Sequence, residues 1–298
     1  MNNALKNSIN VILKAALNED KIHSDITTLS LVDSSVISCE IKFKEKAVLC
    51  GTKIVTHIAK NFNKKIKIEW KYNDGDLIKR GTRVGLITGP ANKILSIERI
   101  LLNFLQKTSG IATSTSILYK SIKNTKIKLL DTRKTTPGWR LIEKYSVKVG
   151  GGNNHRLDLS KLILIKDNHI KFCNGINKAL KKLQKAKSKN EVEVEVKSIR
   201  QLNEALKFKI KRIMLDNFNL SDTKKAIKII RKYPKVDMIP LQLVAGIFAT
   251  LIGLFMSPSI VVSINDIFLG FIAGFFQVGL GFIPVSYTHL TLPTKRIV

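Results

Sequence analysis

Five ionisable residues, Arg133, Lys134, Lys166, Glu195 and Asp216, stand at matching places in this 298-residue sequence. Each sits at the end of a short apolar run or in the first positions after it: Ile127–Leu130, Leu162–Ile165, Glu191–Val196 and Arg212–Leu215. One lysine after a strand is weak evidence, but five such groups at corresponding positions of four runs describe a site. Arg133 and Arg156 offer planar forks suited to carboxylate or phosphate, while Lys134 and Lys166 are compact charges suited to a diphosphate. The run Gly150-Gly-Gly152 would let backbone amides approach an anion closely. Glu195 and Asp216 are hard oxygen donors for Mg²⁺ and for sugar hydroxyls. His155 can donate to a carboxylate, or it can be structural. The set reads as a pocket for a doubly acidic molecule beside a phosphorylated sugar.

The elements that must position these groups alternate strand, loop and helix after residue 126. Helices expected at about 174–187, 198–208 and 221–232 separate the strands, the rhythm of a β/α barrel whose chemistry lies at the carboxyl ends of its strands. Before that, Ile94, Leu95, Ile97, Ile100, Leu101, Phe104 and Leu105 recur at helical spacing from Ala91 to about Lys120, with Ser109-Gly110 expected to interrupt the run. Arg99 lies between these apolar positions, and spacing alone reads it as an arginine snorkelling at the edge of a core helix.

Residues 1–90 look like a small α+β domain. Leu5, Ile9, Ile12, Leu13, Ala16 and Leu17 make one helical stripe over 4–18. Ser24–Thr28 is a polar stretch of capping and turn residues. Strands are expected at 37–44, 47–49, 66–72 and 84–88, with a helix around 54–61 and turns at Asp74-Gly75-Asp76 and Lys79–Thr82.

The formal net charge of +29 is carried entirely by residues 1–236, because the charged residues beyond them, Asp237, Asp266, Lys295 and Arg296, cancel. Such a charge raises the question of nucleic acid. Aromatics are not interleaved with the basic residues and no recognition motif appears, so the lysines read as solvated helix faces in a sequence also rich in Asn and Ile. Cys39, Cys50 and Cys173 show no CxxC spacing and no even pairing, which suits a reducing cytoplasm, and none reads as a metal ligand or a nucleophile. The first residues carry no apolar run of a signal peptide.

Glu98-Arg99, Leu102–Gln106, Ser109–Thr113, Asp131–Gly138, Glu143-Lys-Tyr145, Gly150–Arg156, Leu164–Ile170, Glu191–Glu195 and Leu215-Asp-Asn217 together resemble the quinolinate phosphoribosyltransferase family, also called nicotinate-nucleotide pyrophosphorylase (carboxylating). The likeness covers residues from about 5 to 236. It implies an N-terminal α/β sandwich and dimerisation domain over 1–110, then a catalytic open β/α barrel, truncated here, over 111–236. It implies a homodimer or larger homo-oligomer that transfers phosphoribose from 5-phosphoribosyl 1-diphosphate to quinolinate. The products would be nicotinate mononucleotide, pyrophosphate and CO₂, in the de novo route to NAD. Arg99, Arg133, His155, Arg156 and Lys166 match residues that hold the two pyridine carboxylates, with Arg99 supplied by the neighbouring subunit. Lys134 and Lys166 match positions near the pyrophosphate, and Glu195 and Asp216 match those that hold ribose hydroxyls and Mg²⁺. A relative acting on another pyridine or base would keep Lys134, Glu195 and Asp216 with fewer arginines.

Beyond residue 236 the pattern departs from the family. Apart from Asp266, residues 238–294 carry no charged side chain. Leu241–Met256 and Ile267–Ile283 read as membrane-spanning helices, and 271–281 resembles drug/metabolite-type transporters. Residues 285–298 resemble a translated library adaptor. The expected organisation therefore adds a foreign, hydrophobic helical segment over 237–284 and a tail over 285–298. Two spans are too few for a complete transporter, and glycine-rich loops for the sugar 5-phosphate do not follow residue 236, so an impaired or inactive chimeric chain is expected.

Overall fold

The computed structural model describes residues 1–124, 127–240 and 289–291. The described residues divide into two compact units, 1–155 with 289–291 and 156–240.

The first unit opens with α1 (Asn3–Glu19), whose first turn is capped by the Asn2 side chain accepting from the Leu5 amide at 2.9 Å. Leu5, Ile9 and Leu13, four residues apart, are its buried stripe. The polar stretch after it is itself a helix, α2 (Ile26–Leu31), started by Asp25, whose Oδ1 accepts from the Thr28 amide at 3.0 Å. Six residues are too few for a visible helical periodicity, so the sequence shows only the capping residues.

Strands β1 (Val36–Lys42), β3 (Lys67–Trp70) and β5 (Arg83–Pro90) form an antiparallel sheet in the order β1-β5-β3. Strands β2 (Ala47–Val48) and β4 (Leu77–Ile78) pair separately. Three residues of the supposed tail, His289–Thr291, pair antiparallel with the free edge of β1. Helix α3 (Thr52–Phe62) starts where Asp74 Oδ1 accepts from the amides of Gly51 and Thr52, at 3.0 and 2.9 Å. Ile54, Ile58, Ile94 and Ile97 are fully buried in the shared core, and each such side chain contributes about 1.5–3 kcal/mol.

Helix α4 runs unbroken from Ala91 to Ile122. The expected interruption at Ser109-Gly110 does not occur, because the small residues there are buried against the chain at Cys50. Ser109 Oγ takes the Cys50 amide at 3.0 Å, and Thr108 Oγ1 donates to the carbonyls of Cys50 and Phe104. Helix α5 (Arg140–Val149) packs beside α4 and adds Ile142 to the same core. That packing places residues 111–155 in the first compact unit. The strand expected at 127–130 reduces to a single parallel bridge, Leu130 with Asn153.

The second unit is a βα succession: β6 (Ile163–Ile165), α6 (Asp167–Phe172), α7 (Ile176–Lys185), β7 (Val192–Val196), α8 (Ile199–Ala205), β8 (Arg212–Leu215), α9 (Leu220–Ile230) and β9 (Asp237–Pro240). The four strands form one parallel sheet in sequence order, in keeping with the strand and helix alternation read from the sequence. Residues 237–240, placed in the hydrophobic helical segment by composition, are instead the fourth strand, with Met238 packed against the unit's core. Among the described residues no helix is long and apolar enough to cross a membrane. The spans expected at 241–256 and 267–283, and the tail apart from 289–291, lie outside the described residues.

Candidate active site

Side-chain parity sets the second unit's site. Along a strand successive side chains alternate faces. Ile165, Val194, Val196, Ile213 and Leu215 turn to one face and join the helix-packed core. Leu164, Glu193, Glu195 and Met214 turn to the other, with Leu164 level with Glu193 and Glu195 level with Met214. Carried one step past each strand, the same parity brings Lys166, Lys197 and Asp216 to the face of Glu195.

Ion pairs bear this out. Lys166 Nζ lies 3.5 Å from Glu195 Oε2. Lys197 Nζ lies 2.8 Å from Asp167 Oδ2 and 3.7 Å from Asp216 Oδ2. The carboxylates Glu195 and Asp216 are buried, whereas the lysines reach them from an exposed rim. Burial pushes the Glu195 carboxyl above its ordinary range, Lys166 pulls it back, and Asp216 adds a further upward push. The Lys197 hydrogen bond draws Asp167 down, and the same bond raises Lys197. Asn217, directly after Asp216, takes a left-handed backbone (φ 57°), a conformation Asn tolerates better than most residues. Arg156 donates from Nη1 to the Leu162 carbonyl at 3.0 Å, so part of its fork is spent on its own loop.

The first unit carries the arginine loop. Arg133 is half-buried, and its Nε is buried with no hydrogen-bond acceptor among the described residues. An unsatisfied guanidinium N–H of this kind is costly without a ligand. Lys134 is exposed, its amide held by Thr132 Oγ1 at 3.0 Å. The loop is anchored by the Thr136 amide on the Glu143 carboxylate (3.3 Å) and by Lys107, which bonds Thr136 Oγ1 at 2.9 Å and lies 5.0 Å over the Trp139 ring. Arg99 stands exposed on α4 between the buried Ile97 and Ile100.

Beneath this loop is an ion pair that the residue types did not reveal. Lys144 on α5 and Asp131 have side chains only 2% and 6% exposed, and Lys144 Nζ donates to Asp131 Oδ1. The same Asp131 oxygen accepts the His155 amide at 2.8 Å, and Lys144 Nζ also reaches the His155 carbonyl at 3.3 Å. Burial pushes the Asp131 carboxyl up, and the Lys144 and His155 bonds oppose it.

The Gly150-Gly-Gly152 run does not form an anion cradle. Its three amides donate to the carbonyls of Ser146, Lys148 and Val147, closing the end of α5. A Cβ on Gly150 would stand 2.4 Å from the Ala112 carbonyl oxygen, and one on Gly151 (φ 95°) would stand 2.7 Å from the Tyr119 ring. The glycines are there to let α5 and its exit approach α4 closely.

The N-terminal and C-terminal domains of quinolinate phosphoribosyl transferase match residues 25–109 and 111–250. The nicotinate-nucleotide pyrophosphorylase [carboxylating] of Bacillus subtilis, described as probable, is 38% identical over 210 residues, 69% of this chain and 73% of that protein. This chain belongs to the quinolinate phosphoribosyltransferase family. The chloroplastic nicotinate-nucleotide pyrophosphorylase [carboxylating] of Arabidopsis thaliana is 37% identical over 221 residues, and the match spans 70% of this chain but only 63% of that relative. The solved nicotinate-nucleotide pyrophosphorylase of Francisella tularensis superposes with a TM-score of 0.74 at 38% identity, covering 80% of this chain and 86% of its own.

The family match continues to residue 250, past the break in composition at 236. Lys197 and Asp167 escaped the sequence reading although each has a signal. Lys197 directly follows β7 just as Lys166 and Asp216 directly follow β6 and β8. Asp167 is one residue beyond Lys166.

Proposed function

We propose that this quinolinate phosphoribosyltransferase-family chain transfers phosphoribose from 5-phosphoribosyl 1-diphosphate to quinolinate, with loss of one carboxyl as CO₂ to give nicotinate mononucleotide and pyrophosphate. The observation that carries this is the clustering of Lys166, Glu195, Lys197 and Asp216 on one face at the carboxyl ends of adjacent parallel strands. Lysines on an exposed rim suit a diphosphate, and buried carboxylates suit a sugar that gains positive charge as its bond to pyrophosphate loosens. No covalent protein nucleophile is required.

Arg133 and His155, with Arg156, Lys166 and an Arg99 supplied by a neighbouring subunit, are the groups we assign to the two pyridine carboxylates. The unsatisfied Nε of Arg133 and the exposure of Arg99 support those roles. Lys134 and Lys166 attend the diphosphate. Mg²⁺ fits the donors present: Glu195 Oε2 is buried without a hydrogen bond, and Asp216 is a second buried carboxylate. Two carboxylates suit a metal that is also held by substrate phosphates. Bound there, Mg²⁺ would neutralise charge on the departing pyrophosphate. A homodimer in a reducing compartment fits the role of Arg99 and the three free cysteines.

Slow turnover is expected, since residues 251–298 fall outside the family match that should supply the sugar-phosphate loops. Reading the chain beyond residue 250, where the family match ends, as a foreign apolar segment to 284 and an adaptor tail over 285–298 belongs to the same proposal; sequencing source DNA across codons 230–260 tests it. The acceptor is tested by offering quinolinate and nicotinate separately with 5-phosphoribosyl 1-diphosphate. Nucleotide from quinolinate alone is the expected result. Nucleotide from nicotinate alone would move the chain to a related transferase.

A further inference from the structure

The buried pair of Asp131 and Lys144 lies between the two parts of the proposed carboxylate site that the first unit contributes. Asp131 begins the loop that bears Arg133, two residues on. Its Oδ1 accepts both Lys144 Nζ and the His155 amide (2.8 Å), and Lys144 Nζ reaches on to the His155 carbonyl (3.3 Å). The backbone joins in, with the Asp131 amide on the Asn153 carbonyl at 3.0 Å and the Asn153 amide on the Leu129 carbonyl at 2.7 Å. Turned to satisfy its neighbours, the Asn154 side-chain amide donates to Asp131 Oδ2 and to the Lys144 carbonyl, both at 3.1 Å. These bonds tie residues 153–155 to residues 129 and 131 and to α5.

A lysine 2% exposed within a helix is an expensive way to hold a core together, since a well-packed apolar pair of the same volume commonly serves as well or better. What an apolar pair could not do is fix the His155 backbone against the start of the arginine loop through both its N–H and its C=O. We infer that Asp131 and Lys144 are positioning residues that set the distance between Arg133 and His155, and with it the preference for an acceptor bearing two adjacent carboxylates. The inference rests on the proposed acceptor. Neither residue touches substrate; each acts through the backbone it holds.

The test uses the full chain and two variants, Lys144→Met and the apolar pair Asp131→Leu/Lys144→Met, the second chosen to restore folding if a lone buried carboxylate prevents it. Titration calorimetry with quinolinate and with nicotinate separates affinity from stoichiometry. A positioning role predicts a stoichiometry near that of the parent, at least tenfold weaker quinolinate binding, and a fall of similar size in the preference for quinolinate over nicotinate. Parent-like affinity in a folded variant, or a loss confined to stoichiometry, overturns it. Tryptic cleavage after Arg133 and Lys134 gives a readout that needs no ligand. Cleavage there at least tenfold faster in the apolar pair, with cleavage after Lys185 unchanged, supports the inference; equal rates overturn it. A parent chain that binds no quinolinate would refute the proposed acceptor, and the proteolysis arm would still decide whether the pair holds the loop.

Discussion

Two charge clusters of this protein are built from the same residue types and have opposite characters. Asp131 and Lys144 are sealed, both side chains nearly fully buried and bonded to the His155 backbone. The cluster of Lys166, Lys197, Asp167, Glu195 and Asp216 has buried carboxylates but lysines 45% exposed, at 2.8–3.7 Å. Desolvated pairs of fixed geometry hold structure and resist exchange, whereas pairs with one wet partner are readily traded for a ligand. The first cluster is scaffold; under the proposed function the second is where a diphosphate and its metal would enter.

The comparison breaks first at Lys144. Lys144→Met leaves a buried, unpaired carboxylate, and denaturant unfolding should show a loss of about 3–5 kcal/mol. A loss below 1 kcal/mol would mean that Asp131 is not sealed. Glu195→Gln should behave in the opposite way, with the chain folding as the parent does while CO₂ release falls about 10²–10³-fold in a radiometric assay.

Gly151→Ala sharpens the claim that the glycine run serves packing. The added Cβ meets the Tyr119 ring in a left-handed backbone, and a destabilisation of about 1–3 kcal/mol is expected by thermal unfolding. Glu195 gives a pH signature. Its folded carboxyl titrates above the ordinary value, so the folded state takes up the proton before the unfolded state does. Stability associated with this group is present at low pH and is lost as pH rises through the raised value. Activity, which needs the carboxylate, should show an acid limb above the usual Glu range that Glu195→Gln removes. The smallest effect is expected at Lys197→Ala, with no resolvable change in unfolding and a weaker affinity for pyrophosphate by calorimetry.

How much of this was legible in the sequence depended on whether a signal was local. The alternation in Glu191–Val196 and the apolar run Arg212–Leu215 gave both strands and, by parity, the face that carries Glu195 and Asp216. Arg133 announced itself by type. Lys144 did not, because one lysine on an amphipathic helix looks like any solvated lysine, and only packing against α4 and the 153–155 backbone buries it. The glycines misled for a related reason: their use is set by Ala112, Thr115 and Tyr119 on a helix some thirty residues earlier in the chain. Ser109-Gly110 looked like a break because the hydroxyl partners at Cys50 are remote in sequence. The strand at 237–240 was hidden by the apolar composition that follows it.

The central claim is that this chain carries quinolinate phosphoribosyl transfer, and carboxyl-labelled quinolinate tests it most directly. With enzyme in excess, 5-phosphoribosyl 1-diphosphate and Mg²⁺, the account predicts labelled CO₂ that appears slowly, requires the sugar diphosphate, and disappears in Asp216→Asn. Label that stays in quinolinate throughout, or CO₂ released equally without 5-phosphoribosyl 1-diphosphate, would contradict it.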